Sequence, residues 1–109
     1  MNVEIGYTPL FERRFKKHAK KFLSLNLDFK IFLESIDNYS SVDLGGNIHK
    51  YRIAVKSKNK GKSGGFRIIT LELIVSTDTK TITFLTLYNK TDQSSISKNE
   101  INDILKDLS

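Results

Sequence analysis

The sequence has 109 residues, of which 39% are hydrophobic, and its 18 Lys and Arg against 12 Asp and Glu give a formal charge of +6. This length predicts a single domain spanning 1–109 with one modest core. The absence of cysteine excludes disulfides and thiolate metal sites, and neither a membrane span nor a signal peptide is predicted from the apolar pattern.

The first third of the chain predicts one strand and two helices. Apolar residues alternate with polar or small ones over 3–7, which is typical of a strand. Thr8 and Pro9 match an N-cap followed by proline in the first helical turn. The apolar stripe of that helix consists of Phe11, Phe15, Ala19, Phe22 and Leu23. A second helix is predicted over about 26–38 from the spacing of Phe29, Phe32, Leu33 and Ile36.

The middle of the chain predicts strands separated by turns. Serine and glycine residues over 39–47 break the second helix and turn the chain. Residues 50–55 alternate as a half-buried strand with its basic groups facing outward, whereas 56–65 are too polar and glycine-rich for anything but a loop or hairpin tip. Residues 66–75 are apolar on nearly both faces, which predicts a central strand, and 81–88 predict a further strand after a turn.

The C-terminal segment predicts a third helix. Ser97 and Glu100 have the spacing of a capping box, in which each satisfies an unpaired amide of the other. The apolar stripe that follows consists of Ile101, Ile104, Leu105 and Leu108. The predicted order is β-α-α-β-β-β-α. The fold class is therefore α+β, a small antiparallel β-sheet with two N-terminal helices packed on it and a C-terminal helix, all on one face.

The positive charge excess lies in one segment, 50–67, which we call the basic segment. It contains seven basic residues and no acidic one: Lys50, Arg52, Lys56, Lys58, Lys60, Lys62 and Arg67. The rest of the chain contains the other 11 basic residues and all 12 acidic residues, which gives it a net charge of −1. Concentrated positive charge attracts polyanions, and nucleic acid is the commonest polyanion in a cytoplasm.

Two groups of residues are candidates for a functional site. The lysines of the basic segment, interleaved with glycine, suit phosphate binding, although a solvated hairpin tip would have the same composition. Tyr88 and Lys90 share parity with Phe84 at the end of the last strand, and Arg67 opens the central strand. Taken alone, these three are better explained as an aromatic at the edge of the core and surface charges. Antiparallel pairing could bring them together beside the lysines.

Other chemistry is less well supported by the sequence. His18 and His49 could serve acid–base catalysis, but each is better explained as structural because no spacing connects them. No arrangement of side chains predicts a metal site or a cofactor. Gly61-Lys62-Ser63 ends like a Walker A motif, but Lys56 occupies the position of its first glycine and no helix follows.

Two motifs in order resemble RelE/HigB-type toxins of bacterial type II toxin–antitoxin modules. The first is KSKNKGKSGGFRII over 56–69, and the second is FLTLYNK over 84–90, followed by ISKNEI over 96–101. The resemblance extends from about Val3 to Leu108. It implies a RelE-like domain that enters the ribosomal A site in the cytoplasm and cuts mRNA without a metal, by attack of the ribose 2′-hydroxyl on the adjacent phosphate.

The resemblance also implies roles for individual residues. Arg67, Tyr88 and Lys90 would be catalytic, and the RNA would be held by Arg52, Lys56, Lys58, Lys60 and Lys62. Tyr88 or Lys90 could transfer protons if the positive field lowers the pKa of both, or Tyr88 could stack on a base. The partners would be the ribosome, mRNA and a cognate HigA-like antitoxin with a helix-turn-helix, in a hetero-oligomer. A non-catalytic RNA- or DNA-binding module and a ParE-like gyrase inhibitor are the alternatives.

Overall fold

The protein, seen here as a computed structural model that describes residues 2–58 and 64–108, is built on one five-stranded sheet. The strands are β1 (Asn2–Tyr7), β2 (Ser41–Gly45), β3 (Ile48–Ile53), β4 (Phe66–Ser76) and β5 (Thr79–Asn89). The helices are α1 (Pro9–Lys21), α2 (Leu25–Glu34) and α3 (Lys98–Lys106), with 3-10 helices at Ile36–Asn38 and Lys56–Lys58. In the described part of the chain, no helix is long and apolar enough to cross a membrane.

The predicted α+β fold class is confirmed. The strand order is β1-β5-β4-β3-β2, with β1 parallel to β5 and every other neighbouring pair antiparallel. The apolar strand β4 lies at the centre, as its sequence predicted. The hydroxyl of Thr8 caps α1 by accepting from the Phe11 amide at 2.9 Å, and it donates to the Leu85 carbonyl at 2.7 Å. This cap anchors the start of α1 beside β5.

One strand was missed by the sequence. The segment predicted as a break contains β2, which pairs with β3 as a hairpin and forms an edge of the sheet. The turn between them uses positive φ at Gly45, Gly46 and Asn47, as such tight turns require. Its residues Ser41, Val42 and Asp43 are all exposed. Leu44 is partly buried against the cluster under α3, but one such residue in a short edge strand is too weak a signal for prediction.

The helices lie on both faces of the sheet, so the prediction of a single helical face was wrong. Helices α1 and α2 cover one face, where the buried cluster includes Phe11, Leu25, Phe29, Phe32, Tyr51, Ile53, Phe66, Ile68 and Phe84. Helix α3 covers the other face through Ile48, Ile69, Leu85, Tyr88, Ile101 and Ile104. The first half of β4 and the second half of β5 are buried on both sides for this reason, which explains the apolar run at the start of β4.

A bulge in β5 reverses the facing of its C-terminal half. Ile69 pairs with Thr86 whereas Thr70 pairs with Phe84, so Leu85 is an extra residue opposite β4. Phe84 accordingly packs under α1 and α2, while Tyr88 packs under α3. The expectation that Phe84 and Tyr88 share a face was wrong because simple alternation ends at the bulge.

Candidate functional site

Three functional candidates lie directly opposite one another across three strands. Arg52 of β3 pairs with Arg67 of β4, and Arg67 pairs with Tyr88 of β5. They share the face that α3 partly covers, because Ile48 and Arg52 have the same parity on β3 and Ile48 packs against α3. Arg67 and Tyr88 are buried, at 5% and 4% exposure, whereas Arg52 is exposed. We call these three residues the cross-strand row.

The cross-strand row concentrates positive charge. Burial and then the neighbouring Arg52 lower the pKa of Arg67. Burial also lowers the pKa of Lys50, with further contributions from Arg52, Arg67 and Lys90. Like charges directly opposite in a sheet repel one another, and an anion placed between them relieves that repulsion. The row and Lys50 therefore form a site suited to a phosphate group, and Lys50 was not among the RNA-binding residues predicted from the sequence.

Tyr88 presents a buried hydroxyl to this site. Within the described residues, the Tyr88 hydroxyl is the one buried polar side-chain group without a hydrogen-bond partner. Burial raises the pKa of Tyr88, as does Glu100, against the opposing effects of Arg67 and Arg52. The expectation that the positive field lowers this pKa was therefore wrong, because desolvation outweighs it. Tyr88 is therefore a neutral phenol at neutral pH, and its hydroxyl has no hydrogen-bond partner among the described residues.

Tyr88→Phe is expected to stabilise the fold by about 1 kcal/mol, because it removes a polar group that is buried without a partner. Tyr51→Phe is the matched control, since the Tyr51 hydroxyl donates to Glu72 at 2.7 Å and its removal is expected to destabilise the fold. Urea denaturation of both variants measures the difference. A loss of stability in Tyr88→Phe equal to that in Tyr51→Phe would contradict the expectation.

Lys90 follows β5 at the same end of the sheet. Its backbone amide donates to the Gly65 carbonyl at 3.0 Å, which fixes the chain after β5 next to the start of β4. Its ammonium group donates to the Ser94 carbonyl at 2.7 Å, within its own loop. Its charge is close enough to contribute to the lowered pKa of Lys50. Lys90 therefore borders the cross-strand row, with its ammonium group already bonded.

The basic segment is divided between two regions, which corrects the prediction of a single strip. Residues Lys56–Lys58 form a 3-10 helix rather than an open loop, and the Lys56 amide donates to Asp28 of α2 at 2.9 Å. The ammonium group of Lys58 bonds to the side chain of Asn89 and lies 5.4 Å from the centroid of the Phe66 ring, which belongs to the cluster under α1 and α2. Lys60 and Lys62 lie outside the described residues.

These contacts assign Lys58 a structural role. It joins the end of β5 to the aromatic cluster and also contacts Thr91 at 3.2 Å. Lys56 is exposed, so of the two it is the one whose side chain is available to a ligand. Lys58 is less suited to RNA binding because an ammonium group that is already bonded to protein groups has fewer donors left for RNA.

Two residues near the cross-strand row were not identified from the sequence. Arg14 of α1 donates through Nη1 to the Thr86 hydroxyl at 2.7 Å and to Oε2 of Glu100 at 3.3 Å. The Glu100 amide donates to the Ser97 hydroxyl at 3.1 Å as the capping box predicted, but the Glu100 carboxylate is bonded to Arg14. Arg14 is 72 positions from Thr86 and 86 positions from Glu100, and no sequence signal connects residues so far apart. In the sequence, Arg14 has the pattern of a solvated basic helix face.

The histidines lie in contacts consistent with the structural interpretation. The His18 ring packs edge-on against Phe66 with centroids 4.9 Å apart, and burial lowers its pKa. Nδ1 of His49 is 3.1 Å from the Ser41 hydroxyl in the β2–β3 hairpin. Over the described ranges, no group of three or more His, Asp or Glu could hold a metal ion.

Comparison with protein families identifies the chain at the family level. The model described as "RelE toxin of RelE / RelB toxin-antitoxin system" matches residues 10–108. The chain belongs to the RelE toxin family. This RelE-family protein is the toxin of a type II toxin–antitoxin system, and its partner is a cognate RelB-type antitoxin. A search of curated proteins finds no match to the chain. The resemblance in the motifs and the α+β fold agree with this family.

Proposed function

We propose that this RelE toxin is a ribosome-dependent endoribonuclease that cuts mRNA in the A site. The observation that carries the proposal is the cross-strand row, in which Arg52, Arg67 and Tyr88 are register neighbours on one face. A guanidinium group can bind a phosphate through two parallel hydrogen bonds, and a buried one does so with little competition from water. The row therefore combines phosphate recognition with a neutral proton donor.

The proposed reaction is an in-line displacement at phosphorus without a metal. The 2′-oxygen of one nucleotide attacks its adjacent phosphate, and the 5′-oxygen of the next nucleotide leaves. Arg67 stabilises the charge that develops on the phosphate oxygens, and Arg52 contributes from the exposed end of the row. Tyr88 gives its proton to the leaving oxygen, a role that its raised pKa favours over that of a base.

The remaining cations have supporting roles in this proposal. Lys90 and Lys50 lie close to the row and bind the phosphates that flank the cleaved bond. Lys56 contacts the RNA backbone farther along, and Lys58 acts through the structure of the loop. Lys60 and Lys62 are proposed RNA contacts from the sequence alone. The RelB-type antitoxin is proposed to carry acidic residues that cover the row in a hetero-oligomer in the cytoplasm.

Transcript 5′-end mapping after induction in bacteria tests the proposal. We expect growth to stop, new 5′ ends to appear inside codons of translated mRNAs, and both effects to disappear when the antitoxin is co-expressed. A reporter without a start codon is the matched control and should stay intact, because cleavage requires the ribosome. Intact transcripts with salt-sensitive RNA binding would instead indicate a non-catalytic module, and intact transcripts with a DNA-damage response would indicate a gyrase inhibitor.

A further inference from the structure

The proposed reaction requires a group that removes the proton from the 2′-hydroxyl, and the cross-strand row does not supply one. Guanidinium groups have donors but no acceptor, so Arg52 and Arg67 cannot take a proton. Tyr88 holds its own proton because burial raises its pKa. The lysines that border the row are proposed to bind phosphates as ammonium groups, and in that form they are donors only. The base must therefore come from a side chain that borders the row.

Glu100 is the carboxylate that the fold places at this border. It lies in the first turn of α3, whose Ile101 and Ile104 belong to the same buried cluster as Tyr88. Arg14 connects it to β5, because the same Nη1 atom donates to Glu100 and to Thr86. Thr86 and Tyr88 both follow the bulge and are two residues apart, so their side chains lie on the same face of the sheet. Glu100 is also the acidic group whose charge acts on Tyr88.

The two carboxylate oxygens of Glu100 differ in their surroundings. Oε2 is held by Arg14 at 3.3 Å, whereas Oε1 makes no hydrogen bond within the described residues. The side chain is 34% exposed, so a ligand on this face can reach it. The ion pair with Arg14 orients the carboxylate, as a general base requires. Arg67 and Arg52 also act on Tyr88, so Glu100 and the two guanidinium groups share this neighbour.

We propose that Glu100 is the general base of the reaction and that Arg14 positions it. The proposal rests on the proposed ribonuclease function. Oε1 takes the 2′-hydroxyl proton as the bond between the 2′-oxygen and phosphorus forms. The bond from phosphorus to the 5′-oxygen breaks, and Tyr88 protonates the leaving oxygen. The products are a 2′,3′-cyclic phosphate and a 5′-hydroxyl, after which Glu100 loses a proton to water and Tyr88 regains one.

Single-turnover cleavage on programmed ribosomes tests this role with Glu100→Gln, using the full-length toxin. Glutamine keeps the length of the side chain and an oxygen that accepts from Arg14, but it is not a base. We expect the rate constant to fall by about 10²-fold while ribosome binding is unchanged. The pH dependence of the wild-type rate should also differ from that of Glu100→Gln, because the variant has no base at this position.

Two further variants make the result decisive. Asp103→Asn neutralises an exposed acid on the same helix and should retain the wild-type rate and pH profile. Glu100→Asp keeps a carboxylate and should recover part of the rate, which guards against a folding defect in the glutamine variant. Wild-type cleavage with an unchanged rate or pH profile in Glu100→Gln would overturn the role of Glu100 alone. A wild-type toxin that cuts no ribosome-bound mRNA would overturn the proposed function and this role with it.

Discussion

Arg67→Lys is expected to slow mRNA cleavage by about 10³-fold, although it preserves the charge at this position. The physical reason is geometric. Arg67 is 5% exposed and lies between Arg52 and Tyr88 in the register of the central strands. A guanidinium at this point can bind two phosphate oxygens at once, whereas an ammonium is a single point charge with a different reach. The measurement is the single-turnover rate constant on ribosomes carrying a defined mRNA.

Arg13→Lys is the matched control for this substitution. Arg13 is exposed on α1, and its replacement by lysine should leave the rate within about 2-fold of wild type. Thermal denaturation of both variants separates a chemical effect from a folding effect. If Arg67→Lys cleaves as fast as Arg13→Lys, the phosphate is not bound by a bidentate guanidinium, and the proposed role of Arg67 is wrong.

The elements of the fold could be predicted where one side of a helix or strand is buried. The stripe on α1, the capping box of α3 and the apolar run of β4 all record burial in the spacing of their residues. The sequence of the edge strand β2 does not show burial in this way, because three of its residues are exposed whichever face of the sheet they lie on. The placement of α3 on the second face was also not predictable, because an apolar stripe indicates that a helix is covered and not which face of the sheet covers it.

The candidate site was predictable in its residues but not in its geometry. Arg67 and Tyr88 were selected from strand ends, and the register makes them direct neighbours. Their common face depends on the bulge at Leu85, which no local pattern marked. The facing of Tyr88 toward α3 in turn explains its burial and its raised pKa. A single extra residue in β5 therefore decides on which face of the sheet the Tyr88 side chain lies.

The charge pattern predicted a class of ligand but not the contacts of the charged groups. The basic segment predicted a polyanion ligand, yet Lys58 is bonded to the chain itself while Lys50 and Arg52 lie near Arg67. Arg14 and Glu100 come from helices at opposite ends of the sequence. Contacts of this kind depend on how α1 and α3 pack around β5, and periodicity within one element contains no information about them.

The largest effect on stability is expected at Glu72, a carboxylate with 8% exposure in the central strand. Its Oε2 accepts from the hydroxyls of Tyr51 at 2.7 Å and Thr70 at 2.8 Å, and Oε1 pairs with the Lys80 ammonium at 2.8 Å. Glu72→Gln is expected to lower the free energy of unfolding by about 3 kcal/mol at neutral pH, because a neutral amide cannot replace these charge-assisted bonds. Urea denaturation measures it, with exposed Glu34→Gln as the control.

The pH dependence of this difference identifies its cause. The bonds from Lys80, Tyr51 and Thr70 lower the pKa of Glu72 below the value of 4.5 for an unperturbed glutamate, although burial opposes them. A lowered pKa means that the stabilisation is present above about pH 4.5 and is lost as the pH falls through the pKa of the folded state. Wild type and Glu72→Gln should therefore converge in stability at acidic pH. A difference that stays constant down to acidic pH would show that packing, and not the ionised carboxylate, makes Glu72 important.

Adding Tyr51→Phe to both wild type and Glu72→Gln completes a double-mutant cycle. A coupling energy of about 1–2 kcal/mol is expected because the Tyr51 and Glu72 side chains share a buried hydrogen bond.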